Sequence, residues 1–101
     1  VCNAMETLLV HAKIAKRFMG TDEVIIAELQ AEPWAEGNRS IIAVPFAEQT
    51  ERFDLAEFER TMTFARATGL SEIYLWGAEW WYWRKTQGDA TFWDAAKKVF
   101  E

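Results

Sequence analysis

Apolar positions fall at helical spacing in the first segment of the chain. Met5, Leu8, Leu9, Ala12, Ala15, Phe18 and Met19 make one stripe. Asn3 and Glu6 have the spacing of a capping box at its start. Lys13, Lys16 and Arg17 gather late, where cations suit the helix dipole, and Gly20 is the terminator. The period then changes. Val24-Ile25-Ile26-Ala27 is a continuous, β-branched apolar run between Gly20-Thr21-Asp22 and Pro33. It predicts a strand buried on both faces, as in a parallel sheet. Helical spacing returns with Leu55, Phe58, Met62 and Ala65, capped by Asp54 with Glu57 and stopped by Gly69. Ile73-Tyr74-Leu75-Trp76 predicts a second buried strand, ended by Gly77. A last helix begins at Asp89 or Thr91 and places Phe92, Ala95, Ala96, Val99 and Phe100 on one face.

Residues 28–53 form a long connection rich in Glu, Pro, Gly, Asn, Ser and Gln. Connections of that length in a compact domain are usually functional. Its one apolar patch, residues 41–44, runs into Pro45 and is at best an edge strand or a packed loop. The predicted order is helix, strand, long loop, helix, strand, aromatic loop, helix. Two strands separated by a helix form a βαβ unit, parallel and right-handed, so the predicted class is α/β. A small α+β domain is the alternative, with residues 41–44 paired to residues 24–27 as a hairpin. No internal repeat is present.

Composition narrows this further. A chain of 101 residues fits one domain. Val1 to Ala4 read as a leader or cloning remnant, with Met5 as the native start. Half the residues are apolar and 27% are charged, which is globular composition. No apolar run approaches the roughly 20 residues of a membrane span. No basic region precedes an apolar stretch, so no signal peptide is visible, and the expected location is cytoplasmic or unassigned. A net charge of −5 argues against a nucleic-acid footprint. One cysteine, Cys2, excludes an internal disulfide and a zinc site with two or more cysteine ligands. Cys2 reads as incidental, and the single histidine, His11, as a packing or surface residue.

Aromatic content carries the candidate chemistry. Four of the six tryptophans, Trp76, Trp80, Trp81 and Trp83, fall within residues 76–83. In parallel α/β folds ligands sit at the carboxyl ends of strands. Two segments occupy those ends: Glu28-Leu29-Gln30-Ala31-Glu32-Pro33-Trp34 and Gly77-Ala78-Glu79-Trp80-Trp81-Tyr82-Trp83. Both hold carboxylates beside tryptophan. Carboxylates can act as acid, base or nucleophile, and indole faces stack on sugar rings, so the pairing points to carbohydrate. The alternative for the tryptophans is core packing or an interface anchor. For Glu28 it is a strand-end carboxylate that caps a helix or pairs with arginine.

The segment Ile26-Ala27-Glu28-Leu29-Gln30-Ala31-Glu32-Pro33-Trp34 resembles the seventh strand of cellulase-like retaining (β/α)8-barrel glycoside hydrolases. Residues 69–83, with Ile73-Tyr74-Leu75-Trp76-Gly77-Ala78-Glu79-Trp80-Trp81, resemble the eighth. The resemblance spans roughly residues 21–101. It implies that Glu28 is the nucleophile, that Gln30, Glu32 and Trp34 share its rim, and that Trp76 holds a sugar. Glu79, Trp80, Trp81 and Trp83 would lie further out. Parity agrees if Val24 and Ile26 face the barrel interior, for then Glu28 does too and Leu29 faces the helices.

A whole barrel needs eight strands and about 250 residues, and retention needs two carboxyl groups about 5 Å apart. In these families the acid/base stands on the fourth strand, which this chain lacks. The implied fold is therefore the last part of a barrel, and the implied partners are carbohydrate and either a second copy or a companion barrel segment. No cofactor is implied. The alternative function is a non-catalytic module for self-association or carbohydrate binding.

Overall fold

A computed structural model describes residues 12–20, 23–37 and 39–101. The elements in order are α1 (Ala12–Met19), β1 (Ile26–Gln30), a 3-10 turn (Ile41–Ala43), α2 (Phe46–Arg52), α3 (Leu55–Thr68), β2 (Ile73–Trp76), α4 (Ala78–Thr86) and α5 (Thr91–Phe100). Val1 to Ala4, read as a leader, and Met5, Glu6, Leu8, Leu9, His11, Thr21 and Asp22, named above, lie outside the described residues.

The two strands pair in parallel, with Ile26 opposite Ile73, Leu29 opposite Leu75 and Gln30 opposite Trp76. Among the described residues these strands are the whole sheet. The described residues thus form a small mixed α and β unit, and no barrel is formed among them. The alternative hairpin is not formed either, because residues 41–44 close a 3-10 turn, Val44 N donating to Ile41 O at 3.1 Å. Pro45, which has no N–H to give a ladder, follows directly. The strands also differ from expectation in burial. Ile73 and Leu75 are half-buried, while Tyr74 and Trp76 are 53% and 49% exposed. Helices cover one face of the sheet, and the other is open.

Local signals explain the third helix. The Asp54 side chain accepts from Glu57 N at 2.7 Å, and Gly69 closes the helix with φ 67°. Phe58, Met62 and Ala65 point into the core as the stripe requires. The last helix behaves alike: Asp89 accepts from Thr91 N, and Phe92 and Ala96 are buried. Phe100, expected on the same face, is 74% exposed because the helix outruns the core.

Two elements depart from the predicted loops. The long connection folds a short helix, α2, and the aromatic segment after Gly77 is α4. Helical spacing turns Trp80, Trp81 and Arg84 inward together. The resulting core is aromatic: Trp80 lies 4.6 Å from Phe92 between ring centroids, and Phe58 meets Trp81 edge-on at 5.7 Å.

A buried polar knot ties α2 to α4. Gln49 has no solvent exposure. Its Nε2 donates to Val44 O at 2.6 Å and Ile41 O at 3.0 Å. Its Oε1 accepts from Trp80 Nε1 at 2.8 Å and from Arg84 Nη1 at 3.3 Å. The Arg84 guanidinium lies 4.1 Å over the Phe46 ring and pairs with Asp89. A buried cation is tolerable here because a carboxylate, an amide and a ring face all meet it. Burial alone would raise the Asp89 carboxyl, but hydrogen bonds from Thr91 and Arg84 outweigh it and hold Asp89 below its ordinary value.

Candidate functional site

The carboxyl ends of β1 and β2 are drawn together by backbone. Ala31 N donates to Trp76 O at 2.7 Å, and Trp81 Nε1 donates to Ala31 O at 2.7 Å. The chain turns at Gly77 with φ 144°, a conformation reserved for glycine. The close approach also needs a missing side chain, since a Cβ on Gly77 would stand 2.8 Å from Ala31 O.

This closure sets Glu32 beside Trp76. The indole Nε1 donates to Glu32 Oε1 at 2.9 Å across 44 residues of chain. Gln30 Nε2 donates to the Glu32 carbonyl at 2.7 Å and braces the turn, and Pro33 is buried behind it. Trp76 is about half exposed, so part of its ring is open to solvent.

Burial raises the Glu32 carboxyl above its ordinary value of 4.5; the indole N–H opposes the rise and the negative charge of Glu79 adds to it. The folded chain therefore holds this proton more tightly than the unfolded chain. The contribution of Glu32 to stability is fully present below pH 4.5 and declines as pH rises through the window just above it. Glu32→Gln keeps an acceptor for Trp76 and removes the titration. The variant is expected to lose that decline, read as a flatter pH profile of chemical denaturation. An unchanged slope would place the titration elsewhere.

The other predicted residues separate into two groups. Glu28 lies exposed on β1. The parity argument for it does not hold, because the register shifts between Ile26 and Leu29. Ile26 is 6% exposed, opposite Ile73, and Leu29 lies opposite Leu75, which packs on the core. Ile26 thus turns toward the helices, where alternation had placed it on the open side with Glu28. Gln30, Glu32 and Trp76 gather at the rim, with Glu79 exposed in the first turn of α4. Trp34 follows Pro33 and is 60% exposed.

Trp80 and Trp81, expected as an outer platform, are buried at 2% and 4% exposure. Both indole N–H groups are consumed inside, by Gln49 and by Ala31. Trp83 is half-buried and meets Phe46 edge-on at 5.4 Å. These three act in packing. Only Trp76 and Trp34 present substantial indole surface.

Gly77 and Ala31 are site residues that sequence reading passed over. Gly77 had a signal, a glycine directly after a strand. Ala31 had none, since its role is to offer a carbonyl and no bulk. A groove of about 570 Å³ runs between α3 and α5, and none of the expected site residues lines it. Among the described residues no group of three or more His, Cys, Asp or Glu could hold a metal ion, and no helix is long and apolar enough to cross a membrane. No family model, curated protein or solved structure matches the chain.

Proposed function

We propose that the rim formed by Glu32 and Trp76 binds carbohydrate, and that it is part of a glycoside hydrolase-like site. Trp76 stacks on the apolar face of a pyranose ring, and Glu32 meets a ring hydroxyl. The observation that carries the reading is the half-exposed indole hydrogen-bonded to a half-buried carboxyl across two strand ends. A carboxylate offers two acceptor oxygens, one of which is left for a sugar hydroxyl beside the indole N–H.

In the finer form of the reading the chain corresponds to the last two strands of a barrel. Glu28 then attacks the anomeric carbon, while a carboxylic acid from outside this chain protonates the departing oxygen. Water, deprotonated by the same outside group, releases the sugar with retention. Alone, the chain binds without turnover, because one carboxyl of the pair is missing.

Titration with neutral β-linked glucose oligosaccharides tests this, followed by tryptophan fluorescence and calorimetry. Saturable binding is expected. Trp76→Ala should weaken it roughly tenfold or more, because one stacked aromatic contact contributes about 1–2 kcal/mol. Glu28→Gln should leave it unchanged and abolish aryl β-glycoside hydrolysis wherever the missing strands are supplied. Binding that survives Trp76→Ala, or no binding at all, would overturn the site. Hydrolysis that survives Glu28→Gln would overturn the nucleophile and leave a carbohydrate-binding module.

A further inference from the structure

Two apolar surfaces of this chain lack a cover among the described residues. The first is on α1, where Ile14 and Phe18 lie one turn apart and are 60% and 71% exposed. Arg17 flanks them on the same side of the helix. The helix packs on neither strand to any substantial degree. The second is the amino-terminal half of the open sheet face. Tyr74 is 53% exposed there and donates its hydroxyl hydrogen to Glu72, which fixes both on that face. Ile25 precedes Ile26 with opposite parity and is 46% exposed.

These surfaces complement one another. One is a narrow apolar ridge with a cation at its side. The other is a shallow apolar face with a carboxylate at its side. A helix is the element that covers an open sheet face in layered folds. Among the described residues α1 does not pack closely on either strand. We infer that a second copy of this chain supplies the cover, with Ile14 and Phe18 of one protomer seated on Ile25 and Tyr74 of the other, and Arg17 against Glu72. Each copy owns one helix and one face, so the exchange is reciprocal and closes as a two-fold dimer. The inference goes beyond the carbohydrate reading, because Trp76 and Glu32 stand at the opposite, carboxyl end of the strands.

Sedimentation equilibrium of the full chain over a dilution series tests it. The expected species has twice the 11.7 kDa of one chain. Phe18→Glu and Ile14→Glu should each weaken dimerisation roughly tenfold or more, as a buried interface anchor does. Both positions are exposed, so far-UV circular dichroism should be unaltered. Arg17→Glu and Glu72→Arg should each weaken the dimer, and the double variant should regain affinity. A monomer at every concentration would overturn the inference. So would a dimer indifferent to Ile14 and Phe18, or a charge reversal without recovery. Quenching of Trp76 by oligosaccharide should persist in Phe18→Glu, so this dimer and the sugar site can fail separately.

Discussion

Gly77→Ala is expected to lose a large share of the stability of this chain. The residue sits at φ 144°, and placing an L side chain there costs about 1–3 kcal/mol in strain. The larger cost is steric. The new Cβ would stand 2.8 Å from Ala31 O, 3.0 Å from Ala31 C and 3.0 Å from Trp81 Nε1. The first two are backbone and cannot swing aside. Moving Ala31 breaks its bond to Trp76 O or the bond it accepts from Trp81 Nε1, both 2.7 Å long. Together the terms come to about 3–5 kcal/mol, against a total of about 5–15 kcal/mol for a domain. The melting temperature should fall by roughly 15 °C or more. Gly88→Ala is the control, since Gly88 has φ 96° but nothing within 4 Å of an added Cβ. If both variants melt within a few degrees of each other, the close approach at the strand ends is not tight.

Gln49→Leu is the second large effect. Leucine matches glutamine in size, so no cavity explains the loss. Four hydrogen bonds disappear, and Trp80 Nε1 and Val44 O are left unpaired, while Ile41 O keeps its bond from Val44 N. Each buried unpaired group costs about 1–3 kcal/mol, so a loss of about 3–5 kcal/mol is expected. Denaturant titration reads the total. Hydrogen exchange locates it, since the amides of Ala43 and Val44 should lose protection before those of α3. A change under about 1 kcal/mol would mean that the knot is replaceable by apolar packing, as some buried polar clusters are.

Both effects follow from contacts that no local pattern shows. Sequence determined whatever depends on neighbours in the chain. Asp54 with Glu57 and Gly69 bounded the third helix, and Phe58, Met62 and Ala65 marked its inner face, because caps and stripes act within a few residues. Ile73–Trp76 was legible as a strand, and its pairing parallel to β1 followed from the helix between them.

The site was legible only in part. Glu32, Gln30 and Trp76 were placed at strand ends from the sequence, and the structure brings them together. The partnership of Glu32 with Trp76 was not visible, because it joins residues 44 apart through backbone geometry at Ala31 and Gly77. The facing of Ile26 was misread, because one shift of register between Ile26 and Leu29 breaks the alternation between them.

The tryptophans mark the division most clearly. Sequence fixed their number and crowding, and with them the demand that aromatic surface be covered. It did not fix which of them would do the covering. Tertiary packing decided that: α4 turned Trp80 and Trp81 onto Phe58 and Phe92, and β2 left Trp76 on the open face. Helical and extended backbones aim the same side chain in different directions, and the choice between them was settled by contacts far along the chain.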